Sequence, residues 1–342
     1  MRCPYCKKDD KVIKRGKRKN KYVKKQQYWC NRCEKYFVSH DGFQGMTYPK
    51  EIIVKALHLY VEGLSLSKIR DYMWQHEGFY LYDGTILYWV KKYAHLLSNF
   101  ESGLKPKVKG RIHTDETYVK VKGEGYYSVD SIDSGTKYDL ATTFTKYRSK
   151  LMCRKHFKKL KVKIGDQVKD VWRKEKDKPV KERELITFVS DKFEGYKIGF
   201  NYCFRRFGRL VHGVPIACKK YGLEHNNNAI ERHNEDFKQR YKVTRGYKTP
   251  KSGEAFGEMR RLTYNFVRTH QGIGETPAEE AELNLPLGRN KLLNLIKIFF
   301  VFSIMPQFFV RLLSHPCGIV RGLSLKGPIG RSPKENQGCY LF

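Results

Sequence analysis

The sequence predicts an α/β fold for the larger part of this 342-residue chain, preceded by a small metal-binding ribbon and a bundle of helices. Three observations support this prediction. Two CxxC pairs lie near the N-terminus, apolar residues recur at helical spacing between residues 49 and 98, and the alternation typical of strands begins after Pro106. The length suits two or three domains, and a hydrophobic content of 40% predicts that most of the chain folds.

The charge balance of the chain is strongly basic. It has 68 Lys plus Arg against 35 Asp plus Glu, which gives a formal charge of +33. Such a surplus needs an acidic partner, and nucleic acid is favoured because each neutralised phosphate releases a counterion. An anionic membrane surface and structural RNA are the alternatives. Since no apolar signal segment follows Met1, we expect a cytoplasmic, nucleoid-associated protein with no membrane partner.

Residues 1–45 carry a metal-binding pattern, in which two CxxC pairs frame a basic stretch. Two such knuckles place four thiolates around one ion, an arrangement that suits tetrahedral Zn²⁺. A ribbon of this size has almost no core, so the metal supplies its folding energy. The alternatives are a redox dithiol and four unrelated cysteines. The predicted zinc ligands are Cys3, Cys6, Cys30 and Cys33.

Residues 46–105 predict a domain of three helices. Pro49 begins an amphipathic run that ends at Gly63, and two further helical runs follow. The short turn at Gly63 is typical of helix-turn-helix DNA-binding domains, with a dimerisation bundle as the alternative. The third helix is then the recognition helix, and we expect Trp89 to lie near the DNA groove. The predicted DNA-contacting residues are Thr85, Tyr88, Lys91 and Lys92.

Residues 106–290 carry the α/β pattern. Three alternating runs predict three strands, and a short apolar run that ends at Asp191 predicts a fourth. A very basic helical stretch, residues 148–183, separates the third strand from the fourth, and helical patterns resume from residue 224. The four predicted strands are RIHTDETYVKV, YYSVDSID, YDLATTFT and ELITFVSD.

Three acids lie where a side chain can project from the end of one of these elements. Asp115 is in the first strand, Asp191 ends the fourth, and Glu231 begins a helix. Carboxylates are hard oxygen ligands, and a cluster of them can hold two Mg²⁺ ions about 4 Å apart for phosphodiester cleavage. A single acid at a strand end is more often a capping or solvated residue. Spacing does not choose among the neighbouring acids, which are Glu116, Asp130, Asp133, Glu224, Glu235 and Asp236.

A combination of motifs resembles a known family. DETYVKVKG, VSD, NNNAIERHNEDFKQRYKVTRGYK and YNFVRTHQGIGETPAEEA, in this order, are similar to prokaryotic insertion-sequence DDE transposases, the insertion-sequence "six" family in particular. The resemblance extends over about residues 1–290. It implies an RNase H-like catalytic domain with a mixed sheet of about five strands. Within that fold, Asp115 lies on the first strand, Asp191 follows the fourth, and Glu231 lies on a later helix.

The resemblance also implies an activity. Asp115, Asp191 and Glu231 become the catalytic ligands of Mg²⁺ or Mn²⁺, and Lys238, seven residues after Glu231, becomes a DNA-binding residue. The expected protein cleaves double-stranded DNA at the ends of an insertion sequence and joins the 3′ ends to target DNA, as a homodimer or larger assembly. The alternatives are a non-catalytic DNA-binding regulator, an inactive transposase-derived protein, and another RNase H-like nuclease.

Residues 291–342 form an atypical apolar tail outside this resemblance. Pro306 interrupts the run KIFFVFSIMPQFFVRLLS, and charged residues flank it. The run is short for a membrane span, which needs about 20 apolar residues. The sequence leaves the role of this tail open.

Overall fold

The computed structural model describes residues 1–213 and 228–304. The N-terminal part is an antiparallel sheet in the order β1-β2-β3, formed by Val12–Lys19, Lys24–Cys30 and Lys35–Val38. A small cluster of buried residues, Cys3, Cys30 and Phe37, fills its interior. The four cysteines therefore lie at the core of the smallest part of the fold.

Three helices follow the ribbon, as the sequence predicted: α1 (Lys50–Val61), α2 (Leu66–Glu77) and α3 (Asp83–Ser102). The side chain of Ser65 accepts a hydrogen bond from the Lys68 backbone N–H at 3.3 Å and begins α2. Gly78 ends α2 at a φ of 69°, a left-handed conformation that favours glycine. The local signals therefore fix these helix ends.

The larger sheet has five strands: β4 (Ile112–Val121), β5 (Glu124–Asp133), β6 (Asp139–Thr145), β7 (Thr187–Ser190) and β8 (Arg209–His212). Their order in the sheet is β6-β5-β4-β7-β8. β4, β5 and β6 pair antiparallel, whereas β4, β7 and β8 run parallel. In chain order this arrangement is 3-2-1-4-5, the mixed sheet expected of an RNase H-like domain.

The remaining helices are α4 (Lys150–Glu175), α5 (Glu194–Phe204), α6 (Asn228–Thr244), α7 (Pro250–Phe266) and α8 (Pro277–Glu280). Strand β8 and helix α5 were not predicted from sequence, because β8 is short and α5 contains two glycines, which weaken a helical pattern. One of these glycines is required by packing. A Cβ on Gly199 would lie 2.7 Å from the Phe157 ring of α4, so glycine permits the close approach of the two helices.

A final helix, α9 (Lys291–Ile304), occupies the start of the predicted apolar tail. Leu292, Leu295 and Ile296 are buried, and the helix contacts α1, α3 and α7. The beginning of the tail therefore contributes to the same core as the helical domain, while residues 305–342 lie outside the described residues. Within the described ranges, no helix is long and apolar enough to cross a membrane.

A buried ionic network joins α3 to the α/β part of the fold. The carboxylate of Glu101 is fully buried, accepts a hydrogen bond from the Tyr138 hydroxyl at 2.7 Å, and pairs with Lys163. Arg261 of α7 lies 2.6 Å from the other carboxylate oxygen and also pairs with Glu258. Burial alone would raise the pKa of Glu101, but the charges of Arg261 and Lys163 outweigh it and lower the pKa. Glu101 is therefore an ionised link between three helices.

We expect Glu101→Gln to lower the free energy of unfolding by about 3–5 kcal/mol, because it leaves two buried cations without their shared anion. Urea denaturation measures the change. Glu62→Gln is the matched control, since the Glu62 side chain is 44% exposed and its loss should cost no more than about 0.5 kcal/mol. Equal stability of the two variants would mean that the network does not hold α3 in place.

Candidate active site

Asp115 and Asp191 lie beside each other at one edge of the five-stranded sheet. β4 and β7 are parallel, and their last paired residues are Thr114 and Ser190. Asp115 and Asp191 are the next residues along the two strands, and neighbouring strands run about 4.8 Å apart. Two acids that are far apart in sequence are thus brought together by the strand register.

Asp115 lies in an environment that disfavours its charge. Burial raises its pKa to about 6, and the negative charges of Glu116 and Asp191 act in the same direction. The side-chain amide of Asn234, which is itself buried, donates a hydrogen bond to Asp115 Oδ2 at 3.0 Å. This hydrogen bond fixes the orientation of the carboxylate and joins α6 to β4. The surroundings of Asp115 therefore favour a cation at this point.

Glu231 lies in the first turn of α6, and its side chain is exposed. It precedes Asn234 by three residues, so the two residues are neighbours on the helix surface. Lys238 is about two turns further along the same helix and is also exposed. The third predicted acid and the predicted DNA-binding lysine therefore share the helix that contacts Asp115.

The three acids do not form a compact ligand set. In residues 1–213 and 228–304, only two groups of three or more candidate ligands have their ligand atoms within 4.8 Å of one another, and Asp115, Asp191 and Glu231 are not one of them. In a two-metal site the ions lie about 3.5–4 Å apart, and ligands of different ions are farther from each other than ligands of one ion. Three acids that serve two ions therefore need not have all their ligand atoms within 4.8 Å of one another. The assignment of Glu231 stays a prediction.

Arg148 was missed by sequence reasoning. Its Nε lies 2.6 Å from Glu116 Oε1, and one of its Nη atoms lies 2.5 Å from Asp191 Oδ2. The other oxygen of Glu116 accepts a hydrogen bond from the hydroxyl of Tyr196, which is buried. Sequence offered no signal for Arg148, because it stands among many basic residues. Asn234 lies within the IERHNEDF motif and could have been noted there.

A second acidic group is buried beside the first. Asp130, Asp139 and His233 have ligand atoms within 4.8 Å of one another, and all three are buried. His233 Nε2 lies 3.1 Å from Asp139 Oδ2 and 3.1 Å from an Nη atom of Arg260, and the Thr142 hydroxyl donates to Asp130 at 2.6 Å. Because Arg260 already supplies positive charge, we interpret this group as a structural network. Of the other rival acids, Glu235 is exposed and Glu224 lies outside the described residues.

The four ribbon cysteines converge on one point. The Sγ atoms of Cys3 and Cys33 are 3.9 Å apart, those of Cys6 and Cys30 are 3.7 Å apart, and all four lie within 4.8 Å of one another. Zn–S bonds of about 2.3 Å in a tetrahedron give S···S distances of about 3.8 Å. Burial acts to raise the pKa of Cys30, but hydrogen bonds, chiefly from backbone N–H groups, lower it to about 7. A hydrogen bond with Cys6 raises the pKa of Cys33 to about 12, so it is the geometry of the four sulfur atoms that suits zinc.

Two of the four predicted DNA-contacting residues of α3 have exposed side chains. Tyr88 is 55% exposed and Lys91 is exposed, whereas Thr85 and Lys92 are half-buried. The expectation for Trp89 is wrong, because its side chain is buried and packs edge-to-face on Tyr48 with ring centroids 5.4 Å apart. Its position in the helical repeat faces the core, so it cannot reach a DNA groove.

The strand order and the adjacent acids define a domain of the RNase H-like class. Residues 109–270 match the family model described as a DDE domain, of the IS240 transposase type. This segment is therefore a DDE domain, and over residues 109–270 the resemblance to insertion-sequence DDE transposases is confirmed. A DDE domain places the segment among the polynucleotidyl transferases. Among proteins of curated function, none matches this chain.

Solved structures give a weaker comparison. The integrase catalytic core domain of HTLV-2, in complex with magnesium, is 10% identical and matches 52% of this chain and 99% of its own length at a TM-score of 0.33. A chain of the simian T-cell lymphotropic virus intasome is 11% identical and matches 54% of this chain and 60% of its own length, also at 0.33. Likenesses at these scores add nothing to the family match.

Proposed function

We propose that this protein is a DNA transposase that binds the ends of an insertion sequence, cleaves DNA strands and joins the freed 3′ ends to target DNA. The observation that carries this proposal is the adjacency of Asp115 and Asp191 on parallel strands of a DDE domain. Glu231, in the first turn of α6, is the proposed third acid. The formal charge of +33 supports DNA as the substrate.

The three acids fit a pair of Mg²⁺ or Mn²⁺ ions. Carboxylate oxygens are the hard donors that these ions prefer. Asp115 and Asp191 repel each other on adjacent strands, so a divalent cation between them relieves an unfavourable interaction. When bound, such ions activate the attacking oxygen and stabilise the leaving oxygen of a phosphodiester.

The protein's own residues then orient the reacting groups. Asn234 holds the carboxylate of Asp115, and we assign Lys238, which is exposed on the same helix, to the binding of the DNA backbone. In the first step a water oxygen bonds to phosphorus, the P–O3′ bond breaks, and the departing 3′ oxygen gains a proton as the water loses one. In the second step the oxygen of this 3′ hydroxyl bonds to a target phosphorus and loses its proton, the target's P–O3′ bond breaks, and the displaced 3′ oxygen gains a proton. Neither step needs a Ser or Tyr nucleophile, because catalysis consists of positioning and charge stabilisation.

The N-terminal parts recognise DNA in this proposal. We assign residues 1–45 to a zinc ribbon, 46–105 to a helix-turn-helix domain and 106–290 to catalysis. Tyr22 at the tip of the first ribbon hairpin stacks on Tyr48, with ring centroids 5.0 Å apart, so the ribbon and the helices form one continuous surface. Cleavage at two element ends requires two active sites, and we therefore propose a homodimer or larger assembly on DNA.

We expect DNA affinity to depend strongly on salt. If six to ten phosphates are contacted, the affinity should fall by about 10³- to 10⁵-fold between 50 and 200 mM salt, because bound counterions are released on binding. Fluorescence anisotropy with a labelled duplex measures this. Lys91→Ala should reduce the slope of log affinity against log salt concentration by about one, the contribution of one phosphate contact. Lys178→Ala, which removes a charge paired with Glu175, should leave this slope unchanged. A flat response would indicate a protein or membrane partner instead.

The decisive experiment is a cleavage assay, with Mg²⁺, on duplexes that carry the genomic DNA on either side of the reading frame, where the proposal expects inverted repeats. A transposase produces nicks with 3′ hydroxyls at the repeat ends and then joins them to a second duplex. A regulator or an inactive derivative binds the repeats without cutting. A different RNase H-like nuclease cuts without joining.

A further inference from the structure

Arg148 lies between two acids of the candidate active site, Glu116 and Asp191. It directly precedes Ser149, which caps α4, and its guanidinium contacts Glu116 through Nε and Asp191 through Nη. Its side chain is 33% exposed, compared with 12% for Glu116. One side of the guanidinium is thus anchored in the protein interior, while the other reaches a more exposed acid.

Several contacts fix the anchored side. The Glu116 oxygen that does not touch Arg148 accepts a hydrogen bond from Tyr196, so this carboxylate cannot turn away. The guanidinium carbon lies 4.1 Å from the centroid of the Phe193 ring, which holds the guanidinium plane from a third direction. A planar group that is held at Nε and on its face keeps its remaining N–H donors in a set direction.

The Asp191 side of Arg148 behaves differently. Asp191 is 41% exposed and is one of the proposed metal ligands, so a divalent ion competes with Arg148 for the same carboxylate. An Nη group that loses Asp191 remains held beside the metal site by Glu116 and Phe193. Such a group is a preformed donor for a phosphate oxygen, and paired N–H groups of arginine match phosphate geometry.

We propose that Arg148 is a phosphate-binding residue of this active site, which exchanges Asp191 for a non-bridging oxygen of the scissile DNA phosphodiester when the metal ions bind. This inference depends on the proposed function and deepens it, because it names the residue that grips the reacting phosphate. Glu116 and Tyr196 are positioning residues in this arrangement, since they act on the phosphate only through Arg148.

The first test separates charge competition from phosphate binding. In Mn²⁺ titrations without DNA, Arg148→Ala should bind the ion about two- to fivefold more tightly, the size expected when a half-exposed ion pair no longer competes. Its strand cleavage should nevertheless fall about 10²- to 10³-fold, as for the loss of one preorganised donor to a transition-state oxygen. A variant with unchanged or faster cleavage would overturn the proposal, because Arg148 would then only neutralise the acids.

Two further variants complete this test. Arg148→Lys keeps the positive charge but not the fork, so Mn²⁺ affinity should stay near that of the wild type while cleavage remains at least about tenfold lower. Arg154→Ala is the matched control, because Arg154 is an exposed arginine near the start of α4, with its guanidinium carbon 5.6 Å from the centroid of the Tyr202 ring. Neither measurement should change in Arg154→Ala, and full cleavage by Arg148→Lys would contradict the phosphate contact.

A second test does not depend on cleavage. Binding is measured in Ca²⁺ to two end duplexes, one natural and one with a neutral methylphosphonate at the scissile linkage. Wild-type protein should lose affinity on this replacement, and Arg148→Ala should lose less, because only the contribution of the metal ions to this phosphate remains to be lost. An equal loss in both proteins would overturn the proposal. If the wild type binds the ends and shows this dependence on Arg148 but never cuts, the phosphate contact stands and the proposed transposase activity fails.

Discussion

Asp115→Asn is expected to lose strand cleavage by at least about 10³-fold, since removing several kcal/mol of transition-state stabilisation has an effect of this size. The amide preserves the shape of the side chain but removes the charge that holds a divalent ion. The fold should persist, because neutralising a half-buried acid that lies near Glu116 and Asp191 relieves repulsion. DNA binding should stay unchanged or improve, as less negative charge faces the phosphates.

The same loss is expected for Asp191→Asn and Glu231→Gln, and the last variant is the sharpest test because the Glu231 side chain is exposed. Glu235→Gln is its matched control, an exposed acid one turn further along α6 that should keep full activity. Cleavage of an end-labelled duplex in Mg²⁺ measures all four variants. Near-normal cleavage by any of the first three would remove that residue from the triad, and loss in Glu235→Gln alone would move the third acid by one turn.

Cys30→Ser is expected to abolish zinc binding and to unfold the ribbon. Structural zinc supplies about 10–16 kcal/mol of binding free energy to domains of this kind, far more than the small buried cluster of Cys3, Cys30 and Phe37 can replace. Metal analysis of the purified protein should give one zinc per chain for the wild type and none for the variant. Binding to duplexes that carry the ends of the insertion sequence should weaken, while the domain with the five-stranded sheet stays folded.

Cys203→Ser is the control for the zinc prediction, because Cys203 is a buried cysteine of α5 outside the ribbon. Its zinc content should equal that of the wild type. If the wild-type protein contains no stoichiometric zinc, the four cysteines do not form a metal site, despite their 3.7 and 3.9 Å Sγ···Sγ distances. Unaltered end binding by Cys30→Ser would mean that the ribbon has no part in DNA recognition.

Local patterns in the sequence predicted most of the elements. The three N-terminal helices and the first four strands of the catalytic sheet have short-range signals, such as caps, glycine stops and polar–apolar alternation, that act within a few residues. Helix α5 and strand β8 escaped because Gly195 and Gly199 weaken the helical pattern, and a strand of four residues has little pattern to detect. Packing against α4, not local preference, stabilises α5.

The prediction of the site residues depended on the resemblance to a known family more than on composition or spacing. Motifs selected Asp115, Asp191 and Glu231 from many acids, and the strand register then placed the first two side by side. Trp89 shows the opposite case. An aromatic side chain can pack in a core or contact a DNA groove. Which of the two applies to Trp89 depends on the face that α3 turns toward its neighbouring helices, and that face buries Trp89.

By itself, the sequence determined the ligand types and the order of the elements: four thiolates in two close pairs, a basic chain, and acids at strand and helix ends. Only the tertiary structure decided which side chains meet. Asn234 and Asp115 are 119 residues apart in the chain, and Arg148 and Asp191 are 43 apart, yet each pair is in contact. Such contacts depend on strand register and helix packing, which arise from the whole core and leave no local pattern in the sequence.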